Sequence, residues 1–489
     1  MRKSNGEFEA EIFRRFDEYK EKKKKRHRAV RAASLCMAVV LLGAAVLLAV
    51  RGARHKAPNV TDVRPGSSGA ASENTQPEVP GGVPTDTVTP ETASESERGT
   101  EASAPVSPDP MVYRVKETDE IFSAAYTEFA LGLLCAGLED GKNTLVSPLS
   151  VMEALAMASN GASGRTLDEL MSVIGGGIGT DDLTAYLRGF SLDSDLVRMA
   201  NSVWIRDGFA VRKSFLEKNG GLYGAGVFTA PFDDSTVDAV NAWINAGTNG
   251  MIGKMLERGA LNDSDICLCN AVFFDGRWVQ TYKDENIVDG LFRRADGTTD
   301  RVTMLRSEET SALSVRGGVG VRKMYDGLRY EFIALMPDEG TSLGDFAASF
   351  DGASLRATVR SFVRADVELE MPEFRAEYSA DLTETLKKIG IKEAFEAGRA
   401  DFSGIADGNI RICSVRHKTA FTLDRNGTLA SSATVIGVPG SSEVPSPKMK
   451  VTLDRPFIYM IVDSLTALPV FIGAHHACGG ACGLSCGSK

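Results

Sequence analysis

Five histidines are present, at His27, His55, His417, His475 and His476, and only His417 lies well inside the stretch that reads as a folded domain. A Ser-His-Asp hydrolase would have to use His417 as its base, and no serine elbow is expected to serve it. No H-E-x-x-H zinc helix occurs. Gly175-Gly-Gly-Ile-Gly179 is glycine-rich but lacks the Lys-Ser/Thr of a phosphate loop and follows no strong strand, so it is not expected to cradle a nucleotide. Cys267 and Cys269 are two apart in a strand pattern, which places them on one face and makes them poor candidates for bonding to each other. Cys135 and Cys413 read as small buried hydrophobes. Cys478, Cys482 and Cys486 recur every fourth residue among glycines, just after His475 and His476. A metal site, an unstructured thiol-rich tail and a linkage to another molecule are all open there.

The elements that would position these residues lie in one large α+β domain, 111–477. Ile121 to Leu138 has apolar residues at helical spacing. Pro148 to Ala158 follows Ser147, a good N-cap with proline at the first helical position. Asp234 to Ala246 reads as another helix. Strands are expected at Cys267 to Phe274, Tyr330 to Met336, Val367 to Met371 and Thr419 to Leu423. Pro456 to Val462 and Pro469 to Ala474 form a closing hairpin. Helices and long strands in this order point to α+β, not alternating βαβ.

Before that domain the composition changes twice. The 489 residues carry 55 Lys and Arg against 65 Asp and Glu, a net charge of −10, which excludes a strongly basic nucleic-acid binder; no nucleic-acid partner is expected. Lys20 to Arg31 nevertheless holds eight Lys/Arg, ending a basic head over 1–31. Residues 32–50 are 19 residues without a charge, enough for about 28 Å of helix, one hydrocarbon core. The run ends in Arg51, Arg54, His55 and Lys56 with no small-x-small cleavage site, so an uncleaved signal anchor is expected, with the head cytoplasmic and the C-terminal side outside. A cleaved signal is the alternative. Residues 51–110 form a linker rich in Pro, Ser, Thr, Gly and Glu. Nine of the 18 prolines fall between Pro58 and Pro110, where no aromatic residue occurs, and the segment is expected to be disordered. It would hold the domain away from a membrane or wall. The remaining 478–489 form the Cys/Gly-rich tail.

Two stretches carry a resemblance. One is Asn143-Thr-Leu-Val-Ser-Pro-Leu-Ser150, followed by an Ala-rich helix and Gly161-Ala-Ser-Gly-Arg-Thr-Leu-Asp-Glu-Leu170. The other is His417-Lys-Thr-Ala-Phe-Thr-Leu-Asp-Arg-Asn-Gly-Thr-Leu-Ala-Ser-Ser-Ala-Thr434. Between and beyond them come Val240-Asn-Ala-Trp-Ile-Asn-Ala-Gly-Thr-Asn-Gly250, Asn270-Ala-Val-Phe-Phe-Asp-Gly-Arg-Trp278, Met371-Pro-Glu-Phe374, Ala400-Asp-Phe-Ser-Gly404 and Leu453-Asp-Arg-Pro-Phe457. In this order they strongly resemble the serpin family of protease inhibitors, over essentially all of 115–475. The resemblance implies a three-sheet α+β fold with eight or nine helices and an exposed reactive loop. A target protease cleaves that loop, is held as an acyl-enzyme, and is dragged along as the loop inserts into the central sheet.

The residues suit that mechanism. Gly427 would be the hinge, and the segment from Gly427 to about Val438 would become a buried strand. Its alternate members Thr428, Ala430, Ser432 and Thr434 are small and uncharged, as are Ser431 and Ala433, and no proline precedes Pro439. Two positions depart from the family pattern: Arg425 stands where an acid is usual, and Leu429 where Glu is common. Counting forward from the hinge by the family's spacing puts the cleaved bond at Ser441-Ser442, whereas counting back from Pro456 gives a position near Pro445. A serine beside Gly440 suits elastase-like or subtilisin-like proteases. By the same resemblance Ser147, Ser150, Asn270 and His417 meet beneath the central sheet and gate its opening, and Trp278 stands where the loop first enters.

Three functions follow. The leading one is a membrane-tethered, monomeric, single-use inhibitor of serine or cysteine endopeptidases, needing no cofactor. The others are a non-inhibitory extracellular binding or sensing module, and a hydrolase built on His417.

Overall fold

The computed structural model describes residues 115–190, 196–223, 226–262, 264–427 and 448–478. The head, the apolar run, the linker and most of the Cys-rich tail lie outside them. So do Thr428, Leu429, Ala430, Ser431, Ser432, Ala433, Thr434, Ser441 and Ser442. Among the described residues no helix is long and apolar enough to cross a membrane.

The first half carries α1 (Glu120–Gly137), β1 (Thr144–Val146), α2 (Pro148–Ser159), α3 (Gly164–Ile174), α4 (Thr180–Phe190), β2 (Val197–Arg206), α5 (Lys213–Tyr223), β3 (Gly226–Ala230), α6 (Asp234–Gly247) and β4 (Ile266–Phe274). The second half carries β5 (Ile287–Arg293), β6 (Thr299–Leu313), β7 (Gly318–Met324), β8 (Tyr330–Pro337), α7 (Leu343–Ala348), α8 (Gly352–Arg360), β9 (Val363–Pro372), β10 (Phe374–Asp381), α9 (Thr383–Lys388), β11 (Ile412–Leu423), β12 (Lys448–Thr452), β13 (Phe457–Asp463) and β14 (Leu468–His475). The expected helices and strands all occur, most of them longer than their patterns suggested.

Two hydrogen-bonded sheets result. A five-stranded sheet runs β10-β11-β4-β2-β3, and a nine-stranded sheet runs β1-β14-β13-β8-β7-β6-β9-β12, with β5 also paired to β6. The separate second and third sheets that the resemblance implied are thus continuous here, because the 15-residue strand β6 pairs with β5 and β9 along most of its length and with β7 at its end.

The five-stranded sheet is covered on both faces. The helix α6 is capped by Asp233, whose carboxylate accepts from the N–H groups of Ser235 and Thr236, and it buries Thr236, Val237, Val240 and Ile244. That stripe packs on Trp204, Phe228, Cys267 and Cys269 of the sheet. The opposite face meets α2, all 12 of whose residues are buried. Cover on both sides explains why β4 is apolar apart from Asn270 and why all nine of its residues are buried. Both strands of the β13–β14 hairpin are buried along their whole length, its turn is half-buried, and Arg329 Nε fixes the start of that turn by donating to Asp463 Oδ2 at 2.7 Å.

Candidate functional site

β4 and β11 lie side by side and parallel, in register from Ser414 opposite Cys267 to Ala420 opposite Phe273, after a shift at Cys413. A chain leaving the top of β11 and turning back between them would run antiparallel to both. Gly427 stands at that mouth. It bridges antiparallel to Arg277, beyond β4, and to Asp424, beyond β11. Its φ is +126°, and a Cβ there would lie 2.3 Å from Gly276 O and 2.4 Å from Arg277 Cα, so only glycine fits.

Trp278 frames the same opening. Its backbone N–H donates to Asn426 O at 3.1 Å and its indole Nε1 to Asp424 O at 2.9 Å. The ring stacks on Tyr325 with centroids 4.3 Å apart. Beside it the buried Lys323 donates to Glu309 Oε1 at 2.7 Å and lies 4.8 Å from the centre of the Tyr282 ring. Tyr282 N in turn donates to Arg425 O at 2.9 Å. Arg425, the departure from the family pattern, has acidic partners. Its N–H donates to Glu373 Oε1 at 3.1 Å and its guanidinium to Asp284 Oδ1 at 2.9 Å.

Midway down the seam, His417 and Asn270 are directly opposed. His417 Nε2 accepts from the Ser147 N–H at 3.2 Å, which fixes the proton on Nδ1, and Nδ1 donates to Asn270 Oδ1 at 2.6 Å. Asn270 Nδ2 donates to Ser150 O at 2.7 Å and to Asn201 Oδ1. Asn201 Nδ2 continues the relay to Glu153 Oε2 at 2.7 Å. Burial holds the His417 pKa down at about 3 and pushes the Glu153 carboxyl up to about 8. Both are therefore neutral at pH 7, which lets a buried relay exist without a charge. Parting β4 from β11 breaks the His417–Asn270 bond.

The structure thus brings together the four residues named beneath the sheet, with one change of role. Ser147 and Ser150 act through backbone groups, and both hydroxyls lack a partner among the described residues. Ser147 is the N-cap of α2 by position, yet its side chain makes no cap bond. Asn201 and Glu153 were not foreseen. The available signal was Glu153 itself, the single charge in an otherwise uncharged helix that is buried on every side.

Other expectations need correction. Cys135 is exposed and Cys413 half-buried. On α1 the inward positions are Leu133 and Leu134, which turns Cys135 out. Cys413 sits at a register shift in β11, where its Sγ accepts from Asp265 N at 3.2 Å. Cys267 and Cys269 do share a face, with sulfurs 3.5 Å apart. Gly175 to Gly179 is the turn between α3 and α4, and Gly176 lies tight against Ala125. A serine-elbow spacing does occur, at Gly340-Thr-Ser342-Leu-Gly344, contrary to expectation. There Ser342 caps α7, accepting from Asp345 N at 3.0 Å and donating to Asp345 Oδ2 at 2.7 Å. With both ring nitrogens of His417 engaged, neither is free to take a proton from a serine.

A model of the serpin (serine protease inhibitor) family matches residues 124–477. Glia-derived nexin of Rattus norvegicus is 28% identical over 354 residues, which are 68% of this chain and 87% of the relative. Leukocyte elastase inhibitor of Equus caballus is 27% identical over 376 residues, 72% of this chain and 98% of the relative. A crystal structure of the thermophilic serpin tengpin in its native state superposes with a TM-score of 0.72 at 32% identity, covering 77% of this chain and 100% of the other. The chain belongs to the serpin family of protease inhibitors.

Proposed function

We propose that this serpin is a membrane-tethered, single-use inhibitor of extracellular serine endopeptidases, with cysteine endopeptidases as a second class of target. The observation that carries the proposal is Gly427 seated at the mouth of the β4–β11 seam, antiparallel to both flanks and followed by small, uncharged residues. The protease nucleophile attacks the Ser441 carbonyl. The Ser441–Ser442 peptide bond breaks, the Ser442 amine leaves with a proton, and Ser441 remains esterified to the enzyme. Residues 427–438 then enter the seam before water can hydrolyse the ester. The name of the elastase-inhibiting relative and the Gly440-Ser441 pair support an elastase-like or subtilisin-like target. Residues 32–50 anchor the chain with 1–31 in the cytoplasm, and 51–110 space the inhibitor from the surface.

The test is to mix the full chain, in detergent, with an elastase-like and a subtilisin-like protease. A denaturant-resistant complex with mass spectrometric cleavage after Ser441 is expected. Cleaved chain with no complex for any protease would leave a binding module instead.

A further inference from the structure

Where the relay ends, a cavity of about 320 Å3 opens between α2, β2, α5 and α6. That volume is at the lower end of the range for small-molecule sites. Glu153 and Asn201 form its floor, and both are buried. Met199, Tyr223 and Trp243 wall it and are half-buried, while the exposed Ala246 and Gly247 at the end of α6 form its mouth. Among the described residues no Lys, Arg or His lines it.

Two donors in this cavity lack an acceptor. The indole Nε1 of Trp243 is buried with no hydrogen-bond partner among the described residues, which costs stability until an acceptor arrives. The Glu153 carboxyl is neutral at pH 7, and its Oε2 accepts from Asn201 Nδ2 at 2.7 Å, so its proton sits on Oε1. Asn201 is its one hydrogen-bond partner among the described residues. Tyr223 has the opposite polarity. Its Oη lies 2.9 Å from Thr184 Oγ1, whose own proton goes to Thr180 O at 2.8 Å, so Tyr223 donates there and keeps its lone pairs. An ion in this cavity would lose its water and meet no counter-charge. A carbonyl oxygen beside an N–H suits all three groups. We propose that the cavity binds a small neutral carboxamide carried on a compact apolar body. Its carbonyl oxygen accepts from Trp243 Nε1 and Glu153 Oε1, its N–H donates to Tyr223 Oη, and its body packs against Met199 and the two rings. The site goes beyond the inhibitory function and does not rest on it.

The test uses the full chain in detergent, labelled with nitrogen-15 at its three tryptophan indoles, with benzamide as the probe. The Trp243 indole signal, identified as the one lost in Trp243→Phe, should move saturably with benzamide, and the melting temperature should rise with it. Trp243→Phe keeps the edge-to-face ring contact on Phe228 and should fold, yet bind benzamide about 10-fold more weakly for want of one hydrogen bond. Benzylamine and benzoate have nearly the same shape but are charged, and should bind the wild type at least about 10-fold more weakly than benzamide does. A Trp243 signal that benzamide does not move would mean that water alone fills the cavity, and would overturn the site. Equal binding by the folded variant, or a preference for either ion, would overturn it too. If the variant does not fold, the order of the three probes in the wild-type thermal shift decides alone. None of these readouts depends on protease inhibition.

Discussion

His417 and Glu153 stand three hydrogen bonds apart and respond to pH in opposite senses. An unperturbed histidine titrates at 6.5, but His417 does so at about 3. As pH drops from 6.5 toward 3 the unfolded chain takes up a proton that the folded chain refuses, and stability falls. The ordinary glutamate value is 4.5, but Glu153 titrates at about 8. As pH rises from 4.5 to 8 the folded chain keeps a proton that the unfolded chain has lost, and stability again falls. Between 4.5 and 6.5 the two slopes cancel. Between 6.5 and 8 Glu153 acts alone, with a limiting slope of about 1.4 kcal/mol per pH unit. Glu153→Gln keeps an acceptor for Asn201 and should flatten that alkaline limb. Urea midpoints from pH 6.5 to 8 decide it: a wild-type curve as flat as the variant's rules the mechanism out. Asn270→Ala should cost about 3 kcal/mol or more in the same assay, because it strands His417 Nδ1–H, Asn201 Oδ1 and Ser150 O. A loss under about 1 kcal/mol would mean that water replaces the amide.

At the scale of elements, the mouth of the seam rests on a turn and a reversed charge. Gly427→Ala puts a methyl against the Gly276 carbonyl at a φ of +126°, so the turn must open. A melting temperature lower by several degrees is expected, since left-handed strain alone costs about 1–2 kcal/mol; an unchanged value would mean that the hinge relaxes freely. Arg425→Glu faces Glu373 and Asp284 with a third acid, and Asp284→Lys in the same chain should restore the loss. Asp284 is exposed, so this effect is about 1 kcal/mol or less, readable as non-additivity in a double-mutant cycle. How much of this was legible follows from burial. β4 and β8 declared themselves because both faces are covered and their sequences are apolar apart from Asn270 in β4 and Glu331 in β8. β11 showed only its last five residues, because Ser414 and His417 turn polar groups inward where β4 and the relay satisfy them. β2 hid for the same reason around Asn201 and Ser202, and periodicity reports apolar faces, not inward polar ones. The resemblance supplied the seam residues, but a private feature such as Glu153 has no motif to announce it.

For the whole molecule, the proposed mechanism asks a sheet that is already complete in its hydrogen bonds to take another strand. β4 and β11 pair in parallel through eight residue pairs. A strand entering between them replaces one parallel seam by two antiparallel ones, which pair slightly better per residue. The net gain is about one seam of backbone bonds, on the order of 8 kcal/mol at about 1 kcal/mol each. Breaking the His417–Asn270 bond and ordering the inserted segment subtract from it. The intact chain cannot collect this gain while its loop is tied at both ends, to Gly427 and to β12. One cut in the loop frees the upstream end, and the folded state should then become more stable although the chain has lost a covalent bond. For a domain of this size the melting temperature should rise by ~10 °C or more. Calorimetry before and after limited nicking within 439–446 measures it directly. A rise in wild type that vanishes in Thr428→Arg, whose charge would have to follow the hinge into a buried sheet, places the gain in the seam. A nicked chain that melts no higher than the intact one would mean that the five-stranded sheet is already the stable end state and that no strain is stored.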